Sequence, residues 1–459
     1  MGHAASMPRD VQVICAYSFL FHAGWCAWER SVMPVWIAVN SRDEVVGYVQ
    51  SVQGVIAVAV APLIGIGMDR ARSLRPYAML AVSSCVCALL GMAFCVRTTE
   101  TGWPLYAANA AWAVALTAQG VLTDTTIAAT SRSGEERAWA YALKATCWRA
   151  GAVAGQLMNA LVFLALGDEW SARAMSVALY SGLVACGSTC LLLLLTFEQP
   201  TLEAGEEGAA TAAASERLLK PPAKPEPSGD APAAAEPRAR AAAVRACSCR
   251  WLHELSPQWV ILCAVILRVL GKGMAMRFNP AFLAERHGLS PLALTAAVGV
   301  AQLISTAAPL TLARAADVCG AAPVIVAARL LEPIAFVVFA LSTSSALATA
   351  ALVALLGVPI GSKSLEKALL MGAVRKSSRA RWNALESINR GTWAGSAALG
   401  GLLLAHGGYT ALYLTAAAII LLSVAVMSAL IGRRAPGGSD AAARPATTVS
   451  SGGTLAGRV

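Results

Sequence analysis

The chain has 459 residues, of which 57% are hydrophobic and only 14% charged, against roughly 25% charged in an ordinary soluble domain. The apolar residues fall in blocks of about 20 or more, each long enough to cross a bilayer, so a large soluble catalytic domain has no room to exist. The net charge of +10 does not point to nucleic acid, because the cations sit in short loops between apolar blocks, the pattern of membrane orientation.

In chain order, the first apolar block predicts a helix over 11–38. The segment before it, MGHAASMPRD, is too short for a cleaved signal or transit peptide. Further helices are predicted over 45–68, 76–96, 104–127, 140–166 and 173–196. Residues 197–256 then change character, with stretches such as KPPAKPEPSGDAPAAAEPRARA. Such a segment buries too little apolar surface to offset its ordering entropy, and disorder is expected. The second set of helices is predicted over 257–284, 290–313, 321–343, 345–372, 384–405 and 408–432, followed by a polar tail. The expected organisation is a six-helix bundle over 1–196, a disordered linker over 197–256, a second bundle over 257–432 and a disordered tail over 433–459. Excluding the linker, 15 Lys and Arg fall on the side of the N-terminus and four on the other, which places both termini in the cytosol.

The two halves resemble each other. Pro34 late in the first helix answers Pro280 late in the seventh, and Ala61-Pro62-Leu63 answers Ala308-Pro309-Leu310. Arg137-Ala138 with Ala142-Leu143 answers Arg379-Ala380 with Ala384-Leu385. The offsets are nearly constant, which indicates a parallel repeat of six-helix halves with a solute site near the midplane between them.

The loop after the second helix reads Gly65-Ile66-Gly67-Met68-Asp69-Arg70-Ala71-Arg72. It resembles the major facilitator signature G-x-x-x-D-R-x-G-R, departing from it where Arg72 stands in place of Gly. The segments AWERSVMP (27–34), VGYVQSVQGV (46–55), GKGMAMRFNPAFLAERHGLSP (271–291) and RARWNALESINRGTWAGSAALGG (379–401) resemble an orphan eukaryotic branch of that superfamily. The resemblance implies an all-α integral membrane protein of twelve transmembrane helices, arranged as two six-helix pseudo-repeats of the major facilitator fold. It also implies that the first, fourth, seventh and tenth helices line the cavity. Gly65, Asp69 and Arg70, with Asp124 and Glu366, are the cytosolic gate candidates; the last two sit 242 residues apart as repeat equivalents. Asp124 and Glu366 are expected to pair with loop arginines.

Ionisable and polar residues inside spans are costly and usually face a cavity or a partner. In the cavity-lining helices these are His22, Trp25, Glu29 and Arg30; Asn109 and Gln119; Arg268, Lys272, Arg277 and Asn279; and Lys363. Helical spacing puts His22, Trp25 and Glu29 on one face. The bland expectation elsewhere is local pairing: Arg329 with Glu332, and Glu366 with Lys363 and Lys367. Arg268 and Lys272 share a face on a helix that supplies no acid between them, which suggests an anionic solute. Glu29 is the first candidate for proton coupling. The Gly151 and Gly155 pair reads as close helix contact.

Cysteines such as Cys85, Cys87 and Cys186 lie inside apolar blocks and read as small apolar residues. Cys247, Cys249 and His253 are too few for a structural zinc site. No G-x-x-x-x-G-K loop is present to support ATP-driven pumping. Neither metal nor cofactor is expected, and the chain is not read as an enzyme. The expected function is secondary active or facilitative transport of a small organic solute by alternating access, driven by the solute's own gradient or by protons, with an organic anion as the solute that the cations within the spans suggest. The expected partners are that solute, protons and the lipid bilayer, with the protein a monomer. The alternatives are a transporter-fold sensor that binds without transporting, and a lipid transporter.

Overall fold

The computed structural model describes residues 8–71, 73–130, 134–196, 255–374 and 379–431. The expected disordered linker and tail lie almost wholly outside them. Among the described residues every regular element is helical. The first span is α1 (Arg9–Trp25), a π-helical turn (Cys26–Val32) and α2 (Met33–Asn40). It is followed by α3 (Asp43–Arg70), α4 (Arg75–Thr98), α5 (Trp103–Thr130), α6 (Gly134–Leu166) and α7 (Ala172–Thr196). The second half holds α8 (Pro257–Ala275), α9 (Asn279–His287), α10 (Pro291–Cys319), α11 (Ala321–Leu341), α12 (Ser345–Ala373) and α13 (Arg379–Ser428). Inside α13 the chain reverses at Gly408, whose φ of 67° is open to glycine at no steric cost. α13 therefore supplies two passes, and α8 with α9 forms one. Among the described residues the passes total twelve, six in each half.

The prolines explain where the helices break. Pro34 has no N–H to continue the backbone ladder, and the π turn lies directly before it, absorbing one extra residue. Its repeat equivalent Pro280 opens α9, just after α8 ends and residues 276–278 turn. Pro62 and Pro309 both sit inside long helices, α3 and α10. The sequence landmarks of the repeat thus coincide with matching features of the backbone.

Within the first half α1 packs on α6 and α7, and α4 on α5; within the second α8 packs on α13, and α10 on α12. A Cβ on Gly151 would run into the carbonyl of Phe19, and one on Gly155 into that of Ala23. These glycines are what lets α6 lie against α1. Leu63, Leu161 and Leu310 are exposed on the outer surface, as lipid-facing side chains of a multi-pass membrane protein are. The halves meet where α3 packs on α13 and α6 on α10.

Candidate functional site

The halves are joined by a set of specific contacts. Ser51 Oγ of α3 lies 3.1 Å from the carbonyls of Ala394 and Gly395 and accepts from Ala398 N at 2.6 Å. Gly47 and Gly54 leave no room for a Cβ against Ala397 and Ala394. Trp170 Nε1 donates to Leu289 O at 2.9 Å, and Leu292 N donates to Asp168 Oδ1 at 2.7 Å. Tyr409 Oη donates to Asp43 Oδ2 at 3.0 Å, with Glu285 Oε2 at 3.4 Å. These residues belong to the hairpin ends near 41–43, 167–171, 285–292 and 408–409, which therefore share one face, opposite the ends of the chain. Arg149 donates to Ser305 O at 2.6 Å, nearer mid-span. The contacts just described run from mid-span to that face, so the halves are closed there.

An ion pair among the described residues crosses between the halves within the spans. Arg277, in the turn between α8 and α9, lies 3.2 Å from Glu29 Oε1. The other Glu29 oxygen accepts from Trp112 Nε1 of α5 at 3.2 Å. A small cavity of about 20 Å³, room for one or two waters, is lined by Trp28, Glu29, Gln50, Asn109 and Arg277 among others. Asn279, two residues beyond Arg277, is buried with neither amide atom bonded. A buried amide without partners is costly, and such groups mark places where water or a ligand belongs.

The π turn alters one expectation. His22 and Trp25 do meet, with ring centroids 4.7 Å apart, and Trp148 stacks edge-on to His22 at 4.7 Å. Glu29, however, leaves their face. The wider turn carries it toward Trp112 and Arg277, and it is linked to Trp25 only through Trp112. Arg30 sits over the Trp25 ring, 5.7 Å from its centroid. Asn109 donates to Leu105 O at 2.9 Å, and Gln119 accepts from Tyr17 Oη.

The second half holds a buried charge network that differs from the local pairing expected. Arg268 takes Glu332 in bidentate fashion, at 2.8 and 2.7 Å, and Lys272 reaches the same carboxylate at 2.6 Å. Arg329 does not pair with Glu332 three residues away. It pairs with Glu366, at 2.8 and 3.0 Å, as does Arg268 at 3.0 Å. Ser362 Oγ donates to Glu366 at 2.8 Å. Arg268 and Lys272 thus find their acids on α11 and α12, within their own half.

The gate candidates separate. Glu366 is buried in this network, and most of the loop arginines it was expected to meet have side chains outside the described residues. Asp124 is exposed and bound by Lys144 at 2.7 Å. Gly65 has nothing within 4 Å of where a Cβ would stand, so close packing does not explain it. The side chains of Asp69 and Arg70 lie outside the described residues. Lys363 is exposed on α12. No group of three or more metal-ligating side chains occurs among the described residues.

Sequence reasoning passed over Ser51, Trp112 and the Asp43–Tyr409 contact. Ser51 had a signal, since Gly47, Ser51 and Gly54 are spaced by four and three on one small-residue face of the kind that lets helices approach. Trp112 and Tyr409 gave none, because their partners are distant in sequence.

No known family profile matches the sequence, and no curated protein is similar to it in sequence. Solved structures do match. The nucleoside transporter NupG aligns with a TM-score of 0.64 at 12% identity, covering 93% of this chain and all of the other. A bacterial homologue of the human lysosomal transporter Spinster, inward-facing and occupied, gives 0.62 at 13% identity over 92% and 97%. A POT family transporter in complex with a thioalcohol-conjugated peptide gives 0.62 at 11% identity over 92% and 96%. With the twelve passes and the matching breaks of the two halves, these likenesses show that the chain has the major facilitator fold of a multi-pass membrane protein.

Proposed function

We propose that this protein is a secondary transporter that moves a small organic anion by alternating access, coupled to protons at Glu29, with both termini in the cytosol. The observation that carries the reading is the Glu29–Arg277 pair, which joins the two halves beside a small cavity. An arginine held by a carboxylate at such a place offers an exchange. When Glu29 takes a proton, Arg277 loses its partner and can take the carboxylate or phosphate of a solute, to which its planar fork is matched. The partnerless Asn279 adds a donor and an acceptor beside it. The site is thus re-assigned from Arg268 and Lys272, whose charges already meet acids, to Arg277. The fold supports the general class, since the similar structures are transporters, one a nucleoside transporter and another in complex with a modified peptide.

The test is uptake into proteoliposomes of a panel of carboxylates, phosphorylated metabolites, nucleosides and peptides, with and without a pH gradient. An anion should accumulate when the gradient is imposed. Arg277→Gln should lose at least about tenfold of that uptake, the scale of one charge-assisted contact. Glu29→Gln should keep exchange and lose the response to the gradient. Ligand binding without any uptake would replace transport by a sensor role.

A further inference from the structure

The network of the second half is unbalanced. Among the described residues its buried members are three cations, Arg268, Lys272 and Arg329, and two carboxylates, Glu332 and Glu366. A buried charge without a counter-charge is costly, and the usual relief is that a group changes its protonation. Neither arginine can do this, because a guanidinium keeps its proton in proteins. Neither glutamate is the natural place to lose charge either. Glu332 is held bidentate by Arg268, and Glu366 is held by two arginines and Ser362. Lys272 differs from all four. Its ammonium has three hydrogens, and among the described residues it donates to one oxygen, Glu332 Oε1, which Arg268 already occupies at 2.7 Å. A neutral amine could keep that single hydrogen bond. Loss of one proton from Lys272 leaves two arginines matched by two glutamates.

We propose that Lys272 is a proton-carrying group, which takes up and gives off one proton while the two arginine–glutamate pairs around it stay ionised. The surroundings fit this use. Arg268 stands one turn away on α8, Glu332 and Arg329 face it from α11, and Glu366 and Lys363 come from α12. α13 contributes the Ser423 hydroxyl to Arg329; its Glu386 side chain lies outside the described residues. Lys363, within electrostatic reach of Lys272, is exposed, and water beside it is the place to which the proton goes. Five residues along the chain from Lys272, Arg277 is tied to Glu29 of the other half. Parting of the halves therefore pulls on the segment that holds Lys272. Using the proton to drive solute rests on the transport reading above; the proton site itself does not.

The test is NMR of the purified full chain in lipid nanodiscs with lysine labelled at Cε and Nζ. The sequence holds seven lysines, so one signal can be assigned by its loss in Lys272→Met or, should that variant fail to fold, in Lys272→Arg. The expected result is that this signal passes between the ammonium and the amine position as pH is varied over the range where the protein stays folded. Lys272→Met should also keep the wild-type melting temperature, and Lys272→Arg, which fixes the third charge, should lower it. A signal that stays at the ammonium position at every such pH overturns the proposal, as does stability that needs a permanent cation, with Lys272→Arg stable and Lys272→Met not. Because no solute enters this experiment, its failure leaves the uptake result standing, and the reverse holds too.

Discussion

The two halves share a backbone plan and differ in what they bury. The first half fills its interior with rings and small neutral groups: Phe21 stacks on Trp112, Trp28 meets Trp112 edge-on, and Cys85 faces Cys190. Glu29 is its one buried acid or base among the described residues, and that residue looks across to the other half. The second half buries five ionisable side chains among the described residues and joins three helices through them. The repeat equivalents Asp124 and Glu366 show the contrast most sharply. One is exposed and meets a single lysine, and the other is sealed between two arginines. Prolines and apolar spacing set the common scaffold; a few charges distinguish what the two halves bury.

The largest expected effect is in the second half. Glu366→Gln leaves Arg268 and Arg329 short of a counter-charge in the interior and should destabilise by about 3–5 kcal/mol. Asp124→Asn, at the equivalent place in the first half, should cost at most about 1 kcal/mol, since exposed pairs contribute little. Thermal unfolding of both variants in one detergent checks the difference, and equal effects would erase the comparison. Next in size is the α1–α6 contact. Gly151→Leu drives a side chain into the Phe19 carbonyl and should cost on the order of 1–3 kcal/mol as overpacking does, read as lower yield of folded protein. Gly65→Leu, in open space, should leave that yield unchanged. The smallest effect is at the face that joins the halves. Tyr409→Phe removes one hydrogen bond to Asp43, worth about 1 kcal/mol, and should raise the accessibility of that face to a water-soluble cysteine reagent at an introduced Ser41→Cys.

Much of this was legible in the sequence, for a physical reason. A span must be apolar over its length and must satisfy its own backbone, so the twelve helices follow from composition, with some ends shifted, as where the helix predicted over 290–313 runs on to Cys319, and paired prolines reveal the repeat. Pairing between charges was not legible. Spacing of three invites Arg329 with Glu332, yet Arg329 pairs with Glu366 and Glu332 with Arg268 and Lys272, on other helices. The π turn was equally hidden, because one extra residue shifts Glu29 off the face that an ideal helix assigns to it. Ser51 could have been found from the glycines on either side of it.

The central claim is that the closure seen on one face is one of two states, with Glu29 and Arg277 at the switch. Double electron–electron resonance between spin labels at Glu169 and Arg286, exposed residues of the two halves on that face, tests it most directly. The account predicts a short distance that gives way to a second, longer population, with Glu29→Gln and Arg277→Gln each shifting the balance between them. A single distance, unchanged by pH, by solute and by both substitutions, would contradict it.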